Sequence, residues 1–170
     1  LYQLFRVIKS FWFTSLACEL EYRFNIVIEL ISVVGNLVGN LFILSLFYSS
    51  GSDLGGWSWS SSIVVLGIYT FLDGFTTTIL QPNLSRVVRH VQDGTLDFIL
   101  LKPIYSQFWL SVRIFSPWGV PSIIVGLMLV AYGITLSEVV INIGSIIAST
   151  IMLISSLIIL YSLWFLISTT

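Results

Sequence analysis

NIVIELISVVGNLVGNLFILSLF, residues 25–47, is an apolar stretch with a single charge, Glu29. A helix rises about 1.5 Å per residue and the hydrocarbon layer is roughly 30 Å thick, so about 20 such residues suffice to cross it. The stretch therefore predicts a transmembrane helix. Three further runs of the same kind follow, at about 62–80, 117–134 and 139–166. The third is short and opens with Pro117 and Pro121, a residue type tolerated where the first amides of a helix lack intrahelical partners. The fourth is longer than a straight crossing, so it is expected to tilt, kink or emerge from the bilayer. The fold class is all-α and polytopic, with four transmembrane helices.

Composition excludes a soluble domain. Charged residues are 9% of the chain and hydrophobic ones 56%, with a mean hydropathy of +1.00. A soluble domain carries about a quarter of its residues charged, so lipid is the expected solvent and a partner here. The net charge of -1 gives no footprint for nucleic acid, because the basic residues do not form one continuous patch. A single cysteine, Cys18, excludes an internal disulfide framework.

All seven basic residues lie in two stretches: Arg6, Lys9 and Arg23 before the first span, and Arg86, Arg89, Lys102 and Arg113 between the second and third. The positive-inside rule places both stretches in the cytoplasm, the N-terminus included. Residues 48–61, with Gly51, Gly55, Gly56, Trp57 and Trp59, then lie outside, where the tryptophans suit an interfacial belt. A tight outer connection is expected at 133–137. The chain starts on leucine and has almost nothing after its last span, so it reads as a fragment, and its even number of spans is compatible with more helices following. Residues 1–24 place Phe5, Ile8, Phe11, Trp12, Leu16 and Leu20 at helical spacing, with Arg6, Lys9, Glu19, Glu21 and Arg23 elsewhere. That pattern predicts a cytoplasmic helix lying in the interface. The rival, a secretory signal or a lipobox around Leu16, Ala17 and Cys18, is disfavoured by the short apolar core and by the acidic residues directly after it.

Within residues 25–170 a few polar positions stand out. Gly35, Asn36, Gly39 and Asn40 repeat at i, i+4, which suits close helix packing with amides bonding across the contact, or a substrate-facing role for the two asparagines. Gly144, Ser145, Ala148, Ser149 and Ser156 make a similar face in the fourth span. Two carboxylates, Glu29 and Asp73, fall inside apolar runs, and an intramembrane carboxylate is a functional candidate. Glu29 is within reach of the interface near Arg23. Asp73 is deeper, and its own span contains no basic residue, which suits an interhelical anchor or part of a translocation path.

The loop 81–116 carries the sharpest local information. After a break at Gln81-Pro82-Asn83, Leu84, Val87, Val88 and Val91 form an apolar stripe with Ser85, Arg86, Arg89, His90 and Gln92 off it, predicting a short amphipathic helix. Asp93-Gly94 ends it, glycine being the usual residue at a helix C-terminal turn. Thr95 is expected to cap a second short helix, with Asp97 in its first turn, where the dipole favours negative charge, and with Lys102 and Pro103 closing it.

The string Gly94-Thr95-Leu96-Asp97-Phe98-Ile99-Leu100-Leu101-Lys102-Pro103, after a second span and an amphipathic segment, resembles the signature loop of a branch of the ABC-2 type transporter permeases, whose members look like G-x-L-D-x-x-L-L-[KR]-P there. The resemblance implies an N-terminal interfacial helix followed by six spans, of which this chain covers roughly the first two-thirds. It also implies a permease subunit whose cytoplasmic loop docks on a separate ATP-hydrolysing subunit, with Arg86, Arg89, Asp93, Asp97 and Lys102 in the contact and Gly94 and Pro103 setting its shape. A family pump contains two permease subunits, the same or related, and two ATPases. Export and a bacterial inner membrane are what the family implies for direction and place. The rival for the loop is that Asp97 only serves its own helix and the basic residues only meet anionic lipid heads.

The chain has no ATP site of its own, since no Gly-x-x-x-x-Gly-Lys-Ser/Thr occurs. No catalytic residue, metal or cofactor is expected in it. A metal-dependent phosphotransferase needs several converging carboxylates, and Asp73 has no second one a turn away. An intramembrane serine protease needs a buried base, whereas His90, read as solvated or interfacial, is the only histidine and falls in the loop. The alternative of another class is an ATP-independent secondary transporter or a membrane scaffold subunit. Ion coupling normally requires partnered intramembrane carboxylates, a requirement that Asp73 meets only in part. The spans, apolar with scattered serine, threonine and asparagine, suit a lipid or amphiphile as well as a small solute.

Overall fold

The computed structural model describes residues 8–14, 23–49, 55–101, 105–137 and 142–169, with the side chains of 23–26, 29 and 169 left aside. Among the described residues every element is helical. These are α1 (8–14), α2 (Arg23–Ser49), α3 (Trp59–Phe75), a π turn (Thr76–Leu80), α4 (Gln81–Gln92), α5 (Leu96–Leu100), α6 (Ser106–Val112), a 3-10 turn (Pro117–Gly119), α7 (Val120–Leu136) and α8 (Ile143–Thr169). Four stretches are long and apolar enough to cross a membrane: Leu30–Ser49, Trp59–Gln92, Pro117–Leu136 and Ile143–Ser168. The protein is a multi-pass membrane protein with the four predicted spans. Most of the predicted interfacial segment 1–24 lies outside the described residues.

The second span does not end at Leu80. Helix continues unbroken over the 34 residues Trp59–Gln92, a length of about 50 Å. That exceeds the hydrocarbon thickness, so the end carrying Arg86, Arg89, His90 and Gln92 is the part able to project beyond it. The predicted break at Gln81-Pro82-Asn83 is absent because the turn before it is widened to π geometry, the Gln81 N–H donating to the Thr76 carbonyl five residues back. Pro82 has no N–H for the Thr78 carbonyl one turn earlier. The Ser116 N–H supplies that bond from outside the helix, at 3.0 Å.

One compact unit gathers the described residues of 23–74 and of 118–142. Its seam is made of glycine. Gly67 and Gly74 on α3, and Gly126 and Gly133 on α7, recur every seven residues, and all four are buried. A Cβ on Gly67 would stand 2.7 Å from the Val130 nitrogen and 2.9 Å from the Gly126 oxygen; one on Gly74 would stand 2.6 Å from the Ile123 nitrogen. Gly133 faces Ser60 and Val64 in the same way. The pairing runs in opposite senses along the two helices, so they are antiparallel with backbones in direct contact, the arrangement small residues permit where lipid gives no hydrophobic drive between helices. At the end of α2 the Tyr48 hydroxyl donates to the Trp57 carbonyl at 2.8 Å and lies 2.6 Å from the Ser62 hydroxyl, with its ring edge-on to Trp59.

The other unit gathers the described residues of 75–117, of 143–169 and α1. Leu80, Leu84 and Val87 form its core, packed against Leu160, Tyr161, Trp164 and Phe165 of α8 and Leu110 of α6. Leu84 is wholly buried, a state worth roughly 1.5–3 kcal/mol against exposure. The buried stripe of α4 is therefore narrower than predicted: Val88 and Val91 are exposed. The first part of α8 is exposed throughout Ile143–Met152, and no described atom lies within 4 Å of a Cβ built on Gly144. Gly144, Ser145, Ala148 and Ser149 of the small-residue face are therefore exposed while Ser156 is half-buried, and the Ser149 and Ser156 hydroxyls donate back to the Ile146 and Met152 carbonyls.

Candidate functional site

The turn from α4 into α5 follows directly from Gly94. Its φ of +64° is the left-handed conformation that L side chains rarely adopt. Around it the Thr95 N–H donates to the His90 carbonyl at 3.0 Å, and the Gly94 N–H to the Val91 carbonyl at 3.2 Å. These are the two bonds of a Schellman C-cap, so the helix stops where the sequence predicts. The predicted cap by Thr95 is not formed. Thr95 has helical backbone angles and makes no side-chain cap bond; its hydroxyl lies 2.9 Å from Nδ1 of His90 instead. A residue drawn into the Schellman turn of the preceding helix cannot also take the extended conformation an N-cap needs. Asp97 does occupy the first turn of α5.

This hairpin has two faces. Asn83, Leu84, Val87 and Ile99 are buried, while Arg86, Arg89, Asp93, Gly94 and Asp97 are exposed. The structure thus brings five of the seven predicted contact residues onto one exposed stretch; Lys102 and Pro103 lie outside the described residues. His90 is half-buried, tied to Thr95 and with its ring 6.1 Å from that of Trp109, which is more enclosed than a solvated residue. Trp109 is buried, and the Arg113 guanidinium lies 4.3 Å over its ring. Burial, together with the nearby positive charge of Arg86, lowers the pKa of Arg113 from its ordinary value.

Three side chains secure the segment behind the hairpin, and sequence reasoning passed over their roles. Asn83, 2% exposed, donates from Nδ2 to the Ile79 and Ile114 carbonyls at 2.6 and 2.7 Å, and its Oδ1 accepts from the Ile114 N–H at 2.8 Å. The Tyr161 hydroxyl on α8 lies 2.9 Å from the Ser111 hydroxyl and accepts from Gln107 Nε2 at 3.1 Å. Trp12 of α1 donates to the Val112 carbonyl at 3.2 Å and stacks on Phe115. All converge on residues 107–116. The only signal available beforehand was the polar type of Asn83 beside a proline, which reads as a turn residue.

The intramembrane candidates are not brought together. Gly35 and Gly39 have no described atom within 4 Å of a built Cβ, and Asn36 donates to the Ser32 carbonyl of its own helix at 3.1 Å. Asn40 is half-buried and Asp73 exposed, the latter beside the packed Gly74. The Glu29 side chain lies outside the described residues.

A family model described as ABC-2 family transporter protein matches residues 34–170, most of the chain. No curated protein and no solved structure matches it.

Proposed function

The chain belongs to the ABC-2 transporter family, and we propose that within it the protein is the membrane-spanning permease subunit of an ATP-binding-cassette transporter, moving substrate by means of ATP hydrolysed on a separate cytoplasmic subunit. Arg86, Arg89, Asp93, Asp97 and Lys102 contact that subunit, and Gly94 and Pro103 set the shape of the loop that presents them. The observation that carries this reading is the two-faced hairpin: charges exposed on one side, Leu84, Val87 and Ile99 buried on the other. A contact that transmits rigid-body motion needs a short helix that does not melt under load, and the Schellman turn together with the packed back face provides one.

The distribution of basic residues supports a cytoplasmic N-terminus and a cytoplasmic hairpin. Segment 1–24 is then an interfacial helix, 25–170 the transmembrane domain and 81–116 its coupling loop. Family membership supports a second permease subunit, export as the direction and a bacterial inner membrane as the place. Drive comes from nucleotide binding unequally to states open on opposite sides. The test is affinity purification of the full-length protein in mild detergent, repeated with Asp97→Ala and Arg89→Ala together. A stoichiometric ATPase that is lost from the double variant is expected. A preserved permease dimer with no ATPase would favour an ATP-independent transporter or scaffold.

A further inference from the structure

The segment 75–117 is stapled shut at its root. It begins with the π turn leading into α4 and ends with residues 114–116, and these two ends are bonded to each other three times. The carbonyl of Thr78, orphaned by Pro82, accepts from the Ser116 N–H. Asn83 holds both the N–H and the C=O of Ile114 while bonding the Ile79 carbonyl of its own helix. A buried carboxamide that satisfies one donor and two acceptors on two separate stretches of chain behaves as a rivet. We infer that Asn83 is the positioning residue of energy coupling: it makes the hairpin and the strap 111–116 one rigid body, so that a push on the α4–α5 turn reaches the strap leading to Pro117 and α7 without being lost in loop flexing. The inference rests on the permease reading above and adds the residue through which the hairpin acts. Asn83 touches neither nucleotide nor substrate; it acts through Ile114.

The arrangement explains why a polar side chain, 2% exposed, is buried beside the apolar core. Leu or Val there would leave the Ile114 amide and carbonyl without their partner, and the strap free to lift. It also explains the π turn, which places the Thr78 carbonyl where the Ser116 N–H reaches it. Trp12 and Tyr161 hold the same strap from α1 and α8, so its movement is expected to be shared by those helices.

The test uses the permease co-purified with its ATPase in lipid nanodiscs, in a Cys18→Ser background with a fluorophore at Thr135→Cys near the far end of α7. The reading is the change in fluorescence between nucleotide-free and ATP-vanadate-trapped states, with the ATPase rate measured on the same sample. Asn83→Ala is expected to keep the ATPase bound and hydrolysing but to cut the fluorescence change about fivefold or more, the lower bound of typical coupling between sites. Asn83→Asp, which keeps the acceptor and loses both donations when ionised, is expected to follow it, and exposed Ser85→Ala to behave as wild type. Hydrogen exchange on the wild-type complex guards against variants that fail to fold: the Ile114 and Ser116 amides should stay protected in both states. A full fluorescence change in Asn83→Ala, or deprotection of those amides on trapping, overturns the role of Asn83 alone. No nucleotide-dependent change even in wild type refutes the permease reading itself.

Discussion

Gly126→Ala is the sharpest test of the α3–α7 seam. A Cβ at that position would stand 2.5 Å from the Phe71 nitrogen, 2.8 Å from the Gly67 oxygen and 2.8 Å from the Phe71 Cα. Ordinary contacts to carbon lie near 3.5–4.0 Å, so the helices must part by about 1 Å. Every obstructing atom is backbone, and no rotamer change relieves the clash. Overpacking costs about 1–3 kcal/mol, and a backbone obstacle places this case near the upper end. Alanine restores about 0.5–1 kcal/mol of helix preference, leaving a net loss of about 2 kcal/mol, or roughly thirtyfold in the folding equilibrium. Gly35→Ala is the internal control: with no described atom within 4 Å of a built Cβ, it should be neutral or gain about 0.5–1 kcal/mol. Reversible unfolding of the purified protein in mixed micelles, followed by tryptophan fluorescence, reads both. Equal stability of the two variants would refute direct backbone contact at the seam.

Other consequences are narrower. Gly94→Ala should destabilise the hairpin by about 1–2 kcal/mol through its left-handed backbone, with Gly94→Asn milder, read as faster hydrogen exchange over residues 90–97; unchanged exchange would dismiss the Schellman turn. Tyr161→Phe removes the hydroxyl shared with Ser111 and Gln107 and should cost about 1 kcal/mol of unfolding free energy, whereas Tyr161→Leu, which also strips the ring from the core against α4, should cost more. The buried hydroxyl of Thr78 has no hydrogen-bond partner among the described residues, so Thr78→Val should hold or raise the unfolding midpoint, the gain being at most about 1–3 kcal/mol; a clear loss would reveal a partner for that hydroxyl. In spheroplasts of a Cys18→Ser background, a membrane-impermeant maleimide should label Ser58→Cys from outside and Gln92→Cys only after lysis, and the reverse pattern would invert the orientation drawn from the basic residues.

The spans were legible because a long apolar run has one viable structure in lipid. The Gly94 turn was legible because positive φ has one cheap residue. Harder to read was anything set by two distant stretches at once. Pro82 looks like a breaker when only its missing N–H is counted; the compensating donor, Ser116, lies 34 positions further on. Asn83 looks like turn chemistry for the same reason. The glycine pattern of α2, at i, i+4, drew the eye within one helix, whereas the seam uses a sevenfold spacing split between α3 and α7, weak in either helix alone. Thr95 suits an N-cap when only the following helix is considered; two adjacent motifs compete for it and the C-cap of the preceding helix wins.

The most direct test of the whole account is a single-particle structure of the permease purified with whatever ATPase accompanies it. The account predicts ATPase density seated on Arg86, Arg89, Asp93 and Asp97, with Ile114 bonded to Asn83. An ATPase bound elsewhere, with that hairpin exposed to solvent or lying on lipid, would contradict it.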